Sequence, residues 1–200
     1  PKIIHSMVLQ ETKMKHQIFK GASDQKIINK VRNCRSKLNG NDVFRTIEMD
    51  AVAQVKNSNN FFLHFNASFP NEYDGKLERI IGFGNPSLFR VVRGCKRMFI
   101  DGTFKFVPKP FYQCLIIMVF DDQTDAYVPV FYVLMTSKTQ QIYRQALRWF
   151  EITVDRKIAP VSVTCDFEIA LQNAIMEVFF GSCRERMLIS LETSNPSQNY

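Results

Sequence analysis

Three apolar, β-prone segments separated by short turns constrain the fold more than any other feature of this sequence. They cover residues 98–106, 112–120 and 127–135, and the turns between them lie at 108–110 and 121–125. Strands joined by turns this short pair antiparallel, because a parallel connection needs a dozen or more residues. The sequence therefore predicts a meander of three antiparallel strands.

A helix, a fourth strand and a second helix follow the meander. Thr139 is a suitable N-cap for a helix that runs to about residue 153, and a β-branched strand follows at 161–165. The order of elements from residue 98 is then βββαβα. A helical crossover normally returns the chain to the same sheet with right-handed connection, so the fourth strand should lie parallel beside the first. The predicted fold class is α/β, with a mixed sheet of strand order 3-2-1-4.

Two aspartates stand at matching places in the first and fourth strands. Asp101 lies inside the first apolar run, and Asp166 closes the fourth strand. A carboxylate in a core strand costs several kcal/mol unless it is paired, protonated or bound to a cation. Two neighbouring carboxylates also repel each other, and a divalent cation removes that repulsion. We therefore expect Asp101 and Asp166 to bind Mg²⁺ or Mn²⁺, which suit all-oxygen ligation.

Both aspartates also have simpler explanations. Asp166 precedes a helical pattern, where Asp is among the commonest N-cap residues. Asp101 and Gly102 together could form a hairpin turn, although Phe104 and Phe106 continue the strand alternation beyond them. The strand interpretation of Asp101 is preferred for that reason.

The residues before the meander predict two further regions. Residues 1–60 form a basic helical N-terminal region, with helical spacing at 23–38 and again at about 43–55. Two short helices of this kind are compatible with a helix-turn-helix, but also with ordinary helix packing. Residues 61–94 are expected to form a β-hairpin and then a short helix that leads into the core.

Composition narrows the classes of protein that fit. The 200-residue chain has a net charge of +7, which favours an anionic partner. Its five cysteines include no CxxC pair, so neither a disulfide framework nor a zinc cluster is indicated. No apolar run approaches the roughly 20 residues that span a bilayer. We expect a soluble intracellular protein, and the first residue, Pro1, suggests a fragment or a processed chain.

Five segments, in this order and at this spacing, resemble the Mutator-like element (MULE) transposases. They are FIDGTFK at 99–105, PFYQ at 110–113, VPVFYVL at 128–134, KTQQIY at 138–143 and DFEIA at 166–170. The resemblance runs from about residue 61 to residue 180. It implies a ribonuclease H-like core over residues 95–180, and a DDE-type active site whose first two catalytic acids match Asp101 and Asp166.

The resemblance also implies a function. Members of the family cleave DNA and transfer strands with the help of a divalent cation, so the expected partner is DNA at transposon ends. A nuclear location and a homo-oligomer are expected as well, and neither a membrane nor a small-molecule substrate is. Lys105 and Lys109 are the residues that we expect to contact the phosphates of DNA, together with the basic N-terminal region. A solvated surface position is an equal explanation for these lysines and for the N-terminal charges.

The chain departs from the family after the last helix. Residues 181–200 form a divergent tail in which Cys183 lacks a histidine two or three residues later. The third catalytic carboxylate lies well downstream in the family, and Glu185 and Glu192 come too early to match it. Three functions stay open: a metal-dependent transposase domain, a transposase-derived DNA-binding or regulatory protein without catalysis, and an inert remnant.

Overall fold

The chain divides into two compact units, Pro1–Asp42 and Val43–Tyr200. The computed structural model describes residues 25–26, 29–30, 33, 47, 53–104, 107–155, 157–181 and 188–191. The described residues between 25 and 33 are all helical, as are residues 47 and 53, and both groups fall inside predicted helices. The strands and the candidate site belong to the second unit.

A seven-stranded sheet organises this second unit, in the order β1-β2-β5-β4-β3-β6-β7. The strands are β1 Leu63–Pro70, β2 Leu77–Gly84, β3 Arg97–Thr103, β4 Gln113–Asp121, β5 Ala126–Met135, β6 Ser162–Cys165 and β7 Leu188–Leu191. Strands β3, β4 and β5 pair antiparallel, and β6 pairs parallel with β3. The order β5-β4-β3-β6 is the predicted order 3-2-1-4. The α/β class and the ribonuclease H-like arrangement are thereby confirmed.

The hairpin of β1 and β2 joins this same sheet, because β2 pairs antiparallel with β5. The hairpin expected within residues 61–94 starts with β1, which begins at Leu63 and continues to Pro70. Phe65 covers Gly82 on the neighbouring strand, where a Cβ would overlap the phenylalanine ring. Glycine at this position therefore allows the hairpin to carry a large aromatic side chain into the core.

In the described part of the chain, three helices lie between the strands. They are α1 Phe89–Val92, which follows a 3-10 turn at Pro86–Leu88, then α2 Gln140–Thr153 and α3 Ile169–Ile175. The Thr139 side chain accepts a hydrogen bond from Ile142 N at 3.3 Å, as expected of an N-cap. A π-helical turn, Met176–Phe180, continues α3. No helix in the described part of the chain is long and apolar enough to cross a membrane.

The main core lies between the sheet and the buried face of α2. Side chains of α2 and α3 pack with those of β3, β4 and β5, and all are shielded from solvent. A smaller cluster comprises Ile47, Ile81, Phe83 and Phe111. Ile80 and Ile81, adjacent on β2, fall into different clusters, as side chains on opposite faces of a strand must. The sheet is thus covered on both faces at this strand.

Strand β7 was not identified from the sequence. Its backbone pairs parallel with β6, with Cys165 opposite Leu191. Four residues are too short a segment for a reliable periodic signal, and the flanking residues show none. The segment assigned to a divergent tail therefore contributes an edge strand to the sheet.

Candidate functional site

Asp101 and Asp166 lie side by side at one end of two neighbouring parallel strands. Ile100 on β3 pairs with Cys165 on β6, so each aspartate is the next residue after a paired position. Adjacent strands are about 4.8 Å apart, which brings the two Cα positions close together. Asp101 is partly buried and Asp166 is exposed. The strand interpretation of Asp101 holds, because β3 continues through Gly102 to Thr103.

The charge of Asp166 acts on the Asp101 carboxylate. The pKa of Asp101 is raised from its ordinary value, first because burial disfavours the charged carboxylate and second because the charge of Asp166 repels it. A hydrogen bond from the backbone of Gly102 partly opposes this rise. The site therefore favours a positive charge, and a bound cation would stabilise both carboxylates in their ionised form.

The Asp166 side chain does not cap the following helix. Its Oδ1 accepts a hydrogen bond from Phe167 N at 2.7 Å, whereas the N-cap position of α3 belongs to Glu168. The N-cap interpretation of Asp166 was therefore wrong. The chain turns for two more residues before the helix starts, and this leaves the Asp166 carboxylate at the strand end beside Asp101.

A buried chain of hydrogen bonds holds Glu168 in place. The Tyr143 hydroxyl donates to Glu168 Oε2 at 2.8 Å, and Gln113 Nε2 donates to the same hydroxyl at 2.6 Å. Burial is the main reason that the pKa of Tyr143 lies well above its usual range, so the phenol stays protonated. These contacts join β4, α2 and the loop that carries Asp166.

Gln113 also presents an acceptor beneath the site. Its side chain is fully buried, and its Oε1 atom makes no hydrogen bond. A Cβ built on Gly102 would lie 3.1 Å from that oxygen. The absence of a side chain at Gly102, the residue after Asp101, therefore leaves room for the Gln113 amide.

Sequence reasoning missed Gln113 and Tyr143 as members of the site. Tyr143 follows Ile142 on the buried face of α2, where an aromatic residue is expected to be core. Both residues nevertheless belong to segments on which the family resemblance rests, PFYQ and KTQQIY. That resemblance was the one signal that could have identified them.

The structure describes one of the two lysines that were predicted to contact DNA. Lys109 is exposed in the turn between β3 and β4, at the same end of the sheet as Asp101. Lys105 lies outside the described residues, as do Glu185 and Glu192. Phe104 and Tyr112 flank this turn as an exposed aromatic pair, with ring centroids 5.6 Å apart.

Asp101 and Asp166 supply the right type of ligand for one divalent cation, but only two such ligands. Two neighbouring carboxylates offer the oxygen ligands that Mg²⁺ and Mn²⁺ prefer, and such ions commonly keep several waters. Among the described residues, no group of three or more His, Cys, Asp or Glu side chains is placed to hold a metal. Asp101 and Asp166 would therefore be the only protein ligands that this part of the chain supplies.

Comparison with known proteins agrees with this geometry. A comparison with curated proteins found no match. The family model of the MULE transposase domain matches residues 97–188, which run from the first residue of β3 to the first residue of β7. The match includes both aspartates and all three residues of the Gln113, Tyr143 and Glu168 network. Residues 97–188 of this chain are therefore similar to the MULE transposase domain.

Proposed function

We propose that this protein acts in DNA transposition, through a domain whose chemistry is metal-dependent DNA cleavage and strand transfer. The observation that carries the proposal is the in-register placement of Asp101 and Asp166 on adjacent parallel strands, inside the family match. Asp101 and Asp166 are the proposed catalytic and metal-binding residues. The substrate is DNA, with transposon ends as the specific target, and the site of action is the nucleus.

The residues of this chain have separate tasks in the proposed mechanism. Asp101 and Asp166 would hold a divalent cation at the strand ends, and Mg²⁺ or Mn²⁺ there would supply Lewis-acid activation of a water or 3′-hydroxyl. Glu168, held by Tyr143, fixes the loop that carries Asp166. Lys109 contributes positive charge for the DNA backbone at the same end of the sheet.

Two carboxylates are too few ligands for a two-metal active site. A two-metal site requires further ligands that fix both ions about 3.5–4 Å apart around the scissile phosphate. We therefore propose that the domain retains one cation but nicks DNA weakly or not at all, unless a carboxylate from elsewhere in the chain or from a partner subunit completes the site.

A second candidate function is DNA binding or regulation without catalysis. The observation that favours it is the absence, among the described residues, of a third acidic side chain grouped with Asp101 and Asp166. The two candidates share the fold and the DNA partner, and they differ in whether cleavage occurs.

Metal binding tests the proposal directly. Calorimetric titration with Mn²⁺ should show one site in the wild type and at least about tenfold weaker binding in Asp101→Asn and Asp166→Asn, because each change removes a charged ligand and keeps its shape. Asp125→Asn is the matched control, since this exposed residue has a φ of 51° that Asn also tolerates. Unchanged Mn²⁺ affinity in both site variants would contradict the proposed metal site.

A plasmid-nicking assay on the same proteins tests whether this chain cleaves DNA without a further carboxylate. Little or no nicking by the wild type is the expected result. Robust nicking that either Asp101→Asn or Asp166→Asn abolishes would contradict the proposed weakness of the site and show that another carboxylate completes it.

A further inference from the structure

A basic groove lies at the opposite end of β3 from Asp101. The groove has a volume of about 480 Å³, and its lining includes Arg90, Arg93, Lys96 and Arg97 together with Asp121 and Asp122. Arg97 and Asp101 are four residue steps apart on β3, so about 13 Å of strand rise divides the groove from the carboxylate pair. The groove is therefore a separate feature from the candidate metal site.

The carboxylates in the groove are already engaged. Asp121 accepts hydrogen bonds from Gln123 N at 3.2 Å and from the Thr124 hydroxyl at 3.0 Å. Asp122 lies 3.4 Å from the Arg97 guanidinium, which also stacks over the Phe120 ring at 3.5 Å. Neither carboxylate forms an ion pair with the other three cations of the groove, Arg90, Arg93 and Lys96.

Those three cations, Arg90, Arg93 and Lys96, are exposed and have no ion pair among the residues that the structure describes. The cations of the groove outnumber its carboxylates by four to two. Unpaired cations in a concave surface concentrate positive potential there, and guanidinium groups suit phosphate oxygens because they can donate two parallel hydrogen bonds.

The backbone that carries these cations is fixed at both ends. Val92 is buried, and Gly94 reverses the chain with a φ of +82° in the left-handed region. The Lys96 carbonyl accepts hydrogen bonds from Val161 N at 2.8 Å and Ser162 N at 3.0 Å, which ties this loop to the start of β6. The three cations therefore lie on a segment whose backbone is held in place by tertiary contacts.

We propose that this basic groove binds the phosphate backbone of duplex DNA at a position flanking the segment held at Asp101 and Asp166. The inference rests on the proposed function for the identity of DNA as the polyanion. Duplex DNA presents one charge per roughly 1.7 Å of its axis, so several groove cations can each meet a phosphate. Because the contacts are to the backbone, binding at the groove does not depend on base sequence.

Salt dependence of duplex binding tests the proposal. In a metal-free fluorescence anisotropy titration over a salt series, the triple change Arg90→Gln, Arg93→Gln and Lys96→Gln should lower the slope of log Kd against log salt by about 3, since each phosphate that is no longer neutralised removes roughly 0.9. A second variant, Arg90→Lys with Arg93→Lys, should keep the wild-type slope, because counterion release depends on charge.

The matched control removes three charges elsewhere on the surface. Lys56, Lys138 and Lys157 are exposed, have no ion pair among the described residues and do not line the groove, so their change to Gln should leave the slope near its wild-type value. An equal fall in the control would show a general effect of net charge and overturn the proposal. An unchanged slope in the groove variant would overturn it as well.

Three further outcomes separate this inference from the alternatives and from the proposed metal site. If the groove variant loses binding to labelled polyglutamate while its duplex binding is unchanged, the groove serves an acidic protein and the proposal is wrong. Failure of Asp101→Asn to alter metal binding would contradict the proposed metal site alone, since duplex binding is measured without metal. Absence of duplex binding by the wild type would overturn both proposals.

Discussion

The candidate metal ligand Asp101 lowers the stability of the folded protein when its carboxylate is ionised. Its carboxylate lies partly buried in β3, beside the like charge of Asp166. Its raised pKa means that the folded protein binds a proton at Asp101 more tightly than the unfolded chain does. Ionised Asp101 therefore destabilises the fold, and this effect develops as the pH rises through the ordinary value of 3.8 to the raised folded value. Above that range the penalty is complete.

Asp101→Asn should therefore raise the Tm of the metal-free protein at pH 7. The expected rise is no more than a few degrees, because solvent screens a carboxylate that is only partly buried. Thermal unfolding in a chelator measures it, and the difference from wild type should shrink as the pH falls toward 3.8. Mn²⁺ should reverse the order, since the wild type binds the ion more tightly and gains more stability from it. A lower Tm for the variant in the chelator at pH 7 would contradict this account.

Helix α2 connects the core to the candidate site through a single side chain. Tyr143 is fully buried among apolar neighbours, yet its hydroxyl bridges Gln113 and Glu168. A helix that packs on the sheet can thereby set the position of a loop at the strand ends. The same element serves stability through its apolar face and site geometry through one polar atom.

Tyr143→Phe should lower the free energy of unfolding by about 1–3 kcal/mol, because it removes one partner from buried polar groups. Gln113 Nε2 would keep only the Ser137 carbonyl at 3.4 Å. Urea unfolding measures the loss, and Tyr127→Phe on an exposed tyrosine is the control. Mn²⁺ affinity should fall as well if Glu168 positions the Asp166 loop. Equal stability of the two variants would argue against a structural role for the network.

The elements differ in how far the sequence could predict them. Strands β4 and β5 were predicted to within one residue at either end, because long apolar runs bounded by turn residues leave few alternatives. The Asp166 loop was predicted incorrectly, since a tertiary contact to Tyr143 places Glu168, not Asp166, at the helix start. Gln113 and Tyr143 are 30 residues apart, and no local pattern links side chains at that separation.

At the scale of the whole molecule, the sheet joins the hairpin to the family-matched domain through one continuous core. Phe131 on β5 stands at its centre, with no exposed surface. Its ring lies 5.7 Å from Phe65 of β1 and 5.2 Å from Phe150 of α2, measured between centroids. Aromatic contacts through Phe131 therefore link the hairpin outside the family match to the helix inside it.

Phe131→Ala should reduce the free energy of unfolding by about 3–5 kcal/mol, because the loss of buried area is accompanied by a cavity that close-packed neighbours cannot fill. The loss should occur in one transition that far-ultraviolet circular dichroism and tryptophan fluorescence report together, since Trp149 packs on Phe65 at 5.5 Å. Ile152→Ala is the control, with 65% of its surface exposed, and should change stability by no more than about 0.5 kcal/mol.

If Phe131→Ala does not fold, Phe131→Leu gives a smaller loss in the same direction. Separate transitions for the two probes in the wild type would contradict a core shared by hairpin and domain.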